Sequence, residues 1–217
     1  LARDRFGIKP LYIYHDDENF FFSSELKVIV ESVDKTLELD DQSILDYFTL
    51  SYMKSPKTIY KNVSQLPAAH LLKFSLQHKS IEIKRWWKLN FSKNRHVSNE
   101  EWPGVVKKAL EDAIKRWSVS DVPISYMLSG GLDSSALVTL AAQMSSKKIK
   151  TYTLGFMGDG EEAWNEAVIA RDTAKKIDSD HTEYILEPTH LMDDLESMAH
   201  HLDQPYGGGL PNWEILK

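Results

Sequence analysis

One segment of the sequence, residues 122–144, limits the possible folds more than any other. An apolar run over residues 122–128 predicts a buried strand, and Gly130 and Gly131 end it. Apolar residues then recur at helical spacing from Ser134 onward. The order strand, glycine loop, helix is typical of a turn whose backbone N–H groups converge on one anion.

The polar side chains of this loop indicate which anion it binds. Ser129, Ser134 and Ser135 add hydroxyl donors, whereas the carboxylate of Asp133 would repel a phosphate unless a cation lay between them. We therefore expect Mg²⁺ at Asp133. The sequence Gly-x-x-x-x-Gly-Lys-Ser/Thr is absent, which excludes the common loop that wraps a transferred γ-phosphate. The alternative is a glycine-rich turn that binds no ligand.

Strands and helices alternate regularly after residue 120. Strands separated by helices predict a parallel sheet covered on both faces, in which ligands lie beyond the carboxyl ends of the strands. The Ser129–Ser134 loop and residues 155–160 both follow such ends, so one nucleotide can contact both. The predicted order is strand 122–128, helix 134–146, strand 149–155, helix 161–178, strand 181–186 and helix 190–202.

The first 87 residues follow a different pattern, that of helices mixed with antiparallel strands. Two pairs of apolar runs each flank a short polar turn, which predicts two hairpins, and two helices are predicted around them. Residues 88–98 are polar and aperiodic and are predicted to link two domains. The hairpin strands are 11–14 with 20–23 and 71–75 with 81–86, and the helices start near Ser24 and behind Asp40 or Asp41.

The second domain is predicted to open with an amphipathic helix. Ser98 and Glu101 have the spacing of a capping box, in which each residue bonds to the backbone N–H of the other. A continuous apolar stripe then extends from Trp102 to Trp117.

Composition excludes several classes of function. The net charge is -6 and no run of Lys or Arg occurs, so nucleic acid is not an expected partner. No stretch has the apolar length of a membrane span and the first residues are unlike a signal peptide, so we expect no membrane partner and a cytoplasmic location. The absence of cysteine excludes disulfides, thiolate zinc sites and a cysteine nucleophile within these residues.

Six short sequences together resemble one known family. The Ser129–Ser134 loop is itself similar to the Ser-Gly-Gly-x-Asp-Ser pyrophosphate loop (PP-loop) of ATP pyrophosphatases, which adenylate a carboxylate or a carbonyl oxygen. The second half resembles the start of the synthetase domain of glutamine-hydrolysing asparagine synthetases, through Leu128-Ser-Gly-Gly-Leu-Asp-Ser-Ser135, Thr151-Tyr-Thr-Leu-Gly-Phe156, Asn165-Glu-Ala167 and Asp203-Gln-Pro205. The first half resembles the end of that family's class II glutaminase domain, through Ala2-Arg-Asp-Arg-Phe-Gly-Ile-Lys-Pro-Leu11 and Ser23-Ser-Glu-Leu-Lys27.

The resemblance implies a fold and a domain order. Residues 1–87 would be the C-terminal part of an N-terminal-nucleophile-type glutaminase, an α+β domain of antiparallel sheets with helices. Residues 88–98 would be the linker. Residues 99–217 would be the N-terminal part of an α/β domain, a parallel βαβ sheet that binds an adenine nucleotide.

The resemblance also implies an ATP-dependent carbon–nitrogen ligase. Glutamine would lose ammonia in the first domain, and the second would join that ammonia to ATP-activated aspartate, giving asparagine, glutamate, AMP and pyrophosphate. The implied partners are glutamine, aspartate and ATP with Mg²⁺, and a homodimer is one expected assembly.

Site residues follow from the matching positions. The implied nucleotide site includes a pyrophosphate loop, an adenosine pocket and a metal position, and a separate residue would bind the amino group of glutamine. The pyrophosphate residues are Ser129, Gly130, Gly131, Leu132, Asp133 and Ser134; the pocket residues are Met127, Leu128, Leu154 and Gly155; Asp133 is the metal-binding and catalytic residue; Asp4 binds glutamine. A salt bridge to Arg3 or Arg5 is the alternative use of Asp4.

Departures from the family pattern leave alternatives open. The family's nucleophilic cysteine and its second Ser-Gly-x-Gly-x-Asp-Glu sequence are not in these 217 residues, so we expect a fragment that is inactive alone. Gln204 stands where many relatives have glutamate, which leaves the ammonia acceptor open. The alternatives are a related amidotransferase acting on another carboxylate or a cell-surface sugar, and a nucleotide-binding remnant without turnover.

Overall fold

The computed structural model describes residues 1–92, 97–156, 166–186 and 191–204, which form two units. The first unit comprises Leu1–Phe91 together with the described residues from Leu191 to Gln204. The second comprises the described residues between Ser92 and His190. The last helix thus lies in the first unit, although its sequence follows the strands of the second.

The first unit contains the two predicted hairpins. The pairs β1–β2 and β4–β5 are both antiparallel, and β3 pairs with the free side of β1 to give the order β2-β1-β3. The strands are β1 Tyr12–His15, β2 Phe20–Ser23, β3 Val63–Gln65, β4 His70–Ser75 and β5 Ser80–Arg85, and the helices are α1 Leu26–Ser32, α2 Asp41–Leu50 and α6 Leu191–Leu202.

Local signals explain where these elements begin. The Asp16 carboxylate accepts the N–H groups of Glu18 and Asn19 at 3.0 and 2.8 Å, which closes the β1–β2 turn. At the start of α2, the Asp40 carboxylate accepts the N–H of Gln42 at 3.2 Å, as the helix prediction requires of an N-cap.

The core of the first unit lies between its three-stranded sheet and α1. Tyr14 and Leu26 are almost completely buried there, and Ile29 packs beside them. A second cluster joins Ile13 of β1 to Leu72 of β4, which ties the two sheets together. The prediction of an α+β unit with antiparallel strands is confirmed.

The second unit is a parallel sheet with helices. Strand order is β6-β7-β8, and both pairs are parallel, as predicted. The elements are α3 Trp102–Trp117, β6 Ser125–Met127, α4 Leu132–Met144, β7 Lys150–Phe156, α5 Ala167–Lys176 and β8 Asp180–Leu186. Among the described residues no helix is long and apolar enough to cross a membrane.

Helices cover only one face of this sheet in the described part of the chain. Leu128 packs against Val138 of α4 and Ala170 of α5, and Ile114 of α3 adjoins the same core. The prediction that both faces are covered is therefore wrong for these residues. The cause is the strand order: two successive right-handed crossovers in the same direction place both helices on the same face.

Several predicted boundaries also change, and one predicted helix lies partly outside the described residues. The first strand is shorter than 122–128, because Val122 is exposed and regular pairing begins at Ser125. Helix α3 begins at Trp102, with only half of the capping box formed: Ser98 N–H donates to Glu101 at 2.8 Å, but no side chain caps the helix. The part of the predicted helix 161–178 before residue 166 lies outside the described residues.

Candidate nucleotide-binding site

The loop between β6 and α4 is fixed at its first residue by the central strand. Leu128 N–H donates to Tyr152 O at 2.8 Å, and Thr153 Oγ1 donates to Leu128 O in the buried interior. The Leu128 side chain is 1% exposed and belongs to the core. The chain therefore leaves the sheet at a defined point, at the carboxyl end of β6.

Gly130 makes the turn that no other residue would make easily. Its φ is +82°, in the left-handed region, and a Cβ at this position would lie 2.7 Å from Glu166 O. Ala170 N–H donates to the same Glu166 carbonyl at 3.0 Å. The loop backbone thus lies directly against the first turn of α5, and a side chain at Gly130 would have to displace it.

The first turn of α4 presents backbone N–H groups that have no partner in the described part of the chain. Gly131 is the N-cap and has no side chain to satisfy them. Among the described residues, no acceptor bonds the N–H groups of Leu132, Asp133 or Ser134. Three free donors at the positive end of a helix dipole form a site for an anion.

The two loop serines hold each other in place. Gly131 N–H donates to Ser129 Oγ at 3.4 Å, the Ser129 and Ser134 hydroxyls are 2.9 Å apart, and Ser134 Oγ donates to Gly131 O at 3.1 Å. Because the Ser134 proton is used on Gly131 O, Ser129 donates in the bond between the hydroxyls. The expected hydroxyl donors are therefore together, and they form a closed ring that an arriving anion would have to open.

The third serine takes a different position. Ser135 Oγ is buried and has no hydrogen-bond partner among the described residues. It lines a cavity of about 800 Å³ between α3, α4 and α5. Ser135 therefore stands apart from the ring of the other two hydroxyls.

Asp133 is exposed on the first turn of α4 and has no salt bridge to a described residue. A negative charge is favourable at a helix N-terminus, and Mg²⁺ in phosphate sites commonly takes only one or two protein carboxylates, with phosphate and water oxygens as its other ligands. A single accessible carboxylate fits such an ion. No cluster of three or more His, Asp or Glu side chains that could hold a metal occurs in the described ranges.

The residues expected around adenosine lie on both faces of the sheet. Met127 is half exposed and Leu154 half-buried, and their register places both on the face without helices. Gly155 is buried in β7. Leu128, in contrast, has its side chain in the core and both backbone groups bonded, so it supports the loop and presents no free surface to a ligand. An adenosine pocket at Met127, Leu154 and Gly155 stays a prediction.

Asp4 has a local structural role that the sequence did not predict. Its carboxylate accepts the N–H groups of Phe6, Ile8 and Lys9 at 3.1, 3.0 and 3.1 Å. These bonds, the one from Lys9 foremost, lower the pKa of Asp4. No salt bridge joins Asp4 to Arg3 or to any other described residue. Its use in binding glutamine stays a prediction.

Two residues that shape the loop were not predicted as site residues. Thr153 belongs to the Thr-x-Thr alternation of a buried strand, which indicates inward hydroxyls in need of acceptors. Glu166 belongs to Asn165-Glu-Ala167, one of the sequences that carry the family resemblance, and its carbonyl is the group that Gly130 approaches. The short sequences that carry the resemblance therefore include Glu166, but they did not predict its contact with Gly130.

Comparisons with known proteins agree with this arrangement. Residues 105–211 match a family model described as asparagine synthase, and residues 1–87 match one described as a glutamine amidotransferase domain. The "Putative asparagine synthetase (glutamine-hydrolyzing) 2" of Methanocaldococcus jannaschii is 31% identical over an alignment of 224 positions, which covers 99% of this chain and 42% of that protein.

Two proteins of Bacillus subtilis are similar to the same extent. Asparagine synthetase (glutamine-hydrolyzing) 1 is 30% identical over 94% of this chain and 31% of its own length. Asparagine synthetase (glutamine-hydrolyzing) 3 is 34% identical over 71% of this chain and 26% of its own length. The chain spans less than half the length of these relatives. With a stretch that matches a glutamine amidotransferase domain first and one that matches asparagine synthase second, it belongs to the family of glutamine-hydrolysing asparagine synthetases.

Proposed function

We propose that this chain is part of an enzyme that makes asparagine from aspartate, glutamine and ATP, and that the Ser129–Ser134 loop binds the outer phosphates of ATP. The observation that carries the proposal is the set of three N–H groups on the first turn of α4 that have no acceptor among the described residues, at the carboxyl edge of a parallel sheet. The family membership supplies the reaction class, and the loop supplies the place for its nucleotide.

The charge that develops in such a reaction suits this loop. When the aspartate carboxylate attacks the α-phosphorus of ATP, the bond to the β-phosphate oxygen breaks and negative charge accumulates on departing pyrophosphate. The N–H groups of Leu132, Asp133 and Ser134 are oriented by the helix before the reaction, so they stabilise that charge without reorganising. Ammonia released from glutamine then displaces AMP from the aspartyl adenylate and forms the amide.

The loop hydroxyls and the carboxylate have separate roles in this proposal. Ser129 and Ser134 would turn their hydroxyls from each other to the phosphate oxygens, which keeps the number of hydrogen bonds unchanged. Asp133 would hold Mg²⁺, which supplies positive charge against the pyrophosphate oxygens when bound. The Asp133 carboxylate then no longer repels the phosphates that the helix N-terminus attracts.

The test is an Asp133→Asn substitution in the full-length protein, which removes the charge and keeps the shape. With ammonia as nitrogen donor, aspartate-dependent release of pyrophosphate should fall by about 10²-fold or more, the range seen when a residue that stabilises transition-state charge is removed. Glutamine hydrolysis, measured separately, should change less than about twofold. The matched control is Asp121→Asn, because Asp121 is an exposed aspartate of the same unit, before β6.

Each outcome bears on a different part of the proposal. Undiminished pyrophosphate release by the Asp133→Asn protein would remove Asp133 from the metal position. A second outcome is that the unmodified full-length protein releases no pyrophosphate with aspartate but releases it with another carboxylate. That result would show that aspartate is not the ammonia acceptor and that the other carboxylate is.

A further inference from the structure

Asp203 contacts the start of α1, where its first partner, Leu26, lies 177 residues earlier in the sequence. Its carboxylate accepts the N–H groups of Leu26 and Lys27 at 2.7 and 3.1 Å, at the start of α1, and lies 3.0 Å from the Lys27 ammonium group. The Asp203 side chain is only 8% exposed. Glu25, the N-cap of α1, makes no capping bond with its own side chain, so Asp203 supplies the cap that the local sequence lacks.

The backbone at Asp203 is held in a conformation that non-glycine residues rarely adopt. Its φ is +62°, and Gln204 N–H donates to Leu202 O at 2.7 Å, which closes a tight turn around Asp203 directly after α6. Such a turn persists only where surrounding contacts over-determine it, and it is a reason to look for a function. Here the turn aims the carboxylate at α1.

Gln204 makes a second contact with the same unit. Its Nε2 donates to Tyr12 Oη at 3.1 Å, and Tyr12 is buried in β1. Gln204 Oε1 is buried without a described partner, so the side chain is enclosed and not merely resting on the surface. Asp203 and Gln204 therefore contact two different elements, α1 and β1, from adjacent positions. We name this pair the clasp.

The Lys27 ammonium group adds charge to the contact. Burial acts to lower the pKa of Lys27, but hydrogen bonds to Glu25 and Asp203 outweigh it and raise the pKa. Lys27 therefore stays charged at neutral pH, and the Asp203 carboxylate is satisfied by two N–H groups and one cation.

The two family matches show which parts of the chain the clasp connects. Asp203 and Gln204 lie in the stretch matched by the asparagine synthase model, whereas α1 and β1 lie in the stretch matched by the glutamine amidotransferase domain. We propose that the clasp fastens the synthase part of the chain to the amidotransferase part, and that Asp203 is a positioning residue which couples glutamine hydrolysis to amide formation. The coupling rests on the proposed function, and the fastening does not.

The test compares Asp203→Asn and Asp203→Ala with Glu196→Ala in the full-length protein. Glu196 is an exposed acidic residue of α6, the helix that directly precedes Asp203, so its loss controls for the change in charge. The first measurement is hydrogen exchange of a peptide spanning residues 24–32. We expect exchange there to accelerate at least tenfold in Asp203→Ala and less in Asp203→Asn, with the β4–β5 hairpin and the Glu196→Ala protein unchanged.

The second measurement is the ratio of amide formed from glutamine to amide formed from free ammonia. The ratio should fall at least fivefold in Asp203→Ala and stay constant in Glu196→Ala, because ammonia supplied from solution bypasses the coupling. Tyr12→Phe, which removes only the Gln204 partner, should give a smaller fall.

The outcomes separate the two parts of the inference. Unchanged exchange at residues 24–32 in both Asp203 variants would overturn the clasp. Accelerated exchange with an unchanged donor ratio would overturn the coupling and leave the fastening. If the unmodified protein makes no amide from either donor, the proposed function and the coupling fail together, and hydrogen exchange still decides the fastening.

Discussion

Substituting Gly130 by alanine tests whether the Ser129–Ser134 loop depends on a close backbone approach. An alanine here must hold φ at +82°, which costs about 1–2 kcal/mol for a residue with a Cβ. Its Cβ would also lie 2.7 Å from Glu166 O and 3.2 Å from Ala170 N, so the loop or the start of α5 must shift by several tenths of an ångström. That shift strains the bond between Ala170 N–H and Glu166 O, whose net contribution is about 1 kcal/mol.

An opposing effect comes from the unfolded chain. Alanine loses less conformational entropy on folding than glycine, which favours the variant by about 0.4–1 kcal/mol. The balance is a loss of about 2 kcal/mol in the free energy of unfolding. Urea denaturation of the purified protein, followed by far-ultraviolet circular dichroism, measures this loss from the midpoint and slope.

The neighbouring glycine is a matched control. Gly131 has φ −67° and ψ 162°, which any residue adopts, and a Cβ there would meet only Ser129 Oγ, at 3.4 Å. Gly131→Ala should therefore change stability by less than about 1 kcal/mol, because the gain from the unfolded chain is opposed by the preference for glycine over alanine at an N-cap. If Gly130→Ala were as stable as Gly131→Ala, the contact between the loop and α5 would not constrain the fold as argued.

Two further predictions concern the second unit. Gly104 lies in the first turn of α3, and a Cβ there would meet nothing within 4 Å. Gly104→Ala should therefore stabilise the protein by about 0.5–1 kcal/mol and raise the thermal midpoint of unfolding. A lower midpoint would contradict the inference that a Cβ at this position has open space. The Arg171 guanidinium donates a hydrogen bond to Glu183 and lowers the pKa of that carboxyl. The pair therefore stabilises the fold fully above the ordinary glutamate pKa of about 4.3, and this stabilisation is lost as the pH falls through the lowered pKa of Glu183. Glu183→Gln should therefore lose less stability than the unmodified protein between neutral pH and pH about 3, and equal losses in urea titrations would contradict the assignment.

Much of the fold followed from local patterns in the sequence. The β1–β2 hairpin was predictable because a polar turn separates two aromatic runs, and Asp40 was predictable as the cap of α2 because its side chain reaches the first free N–H groups. The parallel sheet was predictable from alternating strands and helices. For the hairpin and the helix cap, the signal and the structure it specifies lie within a few residues of each other; for the sheet, the signal is the regular repetition of strand and helix.

What could not be predicted depends on contacts between distant residues. The β6-β7-β8 sheet has one uncovered face in the described residues, because both crossovers step in the same direction. No single segment of the sequence specifies that strand order. In the sequence, Asp203 was only part of Asp203-Gln-Pro205, one of the short sequences that carry the family resemblance, and its contact with the N–H groups of Leu26 and Lys27 is visible only in the fold. Asp4 was predicted from resemblance to bind glutamine, whereas three local N–H groups explain its position without a ligand.

The residues around the Ser129–Ser134 loop fix its backbone conformation before a ligand binds. Gly130 fixes the backbone against α5, Thr153 fixes the end of β6, and the hydroxyl ring of Ser129 and Ser134 holds the turn closed. Only the N–H groups at the start of α4 have no described acceptor, and they point where the helix dipole is most positive. Because the conformational entropy of the loop backbone is lost on folding, an anion that binds there does not have to offset it, and the rearrangement left to the anion is the opening of the Ser129–Ser134 hydroxyl ring.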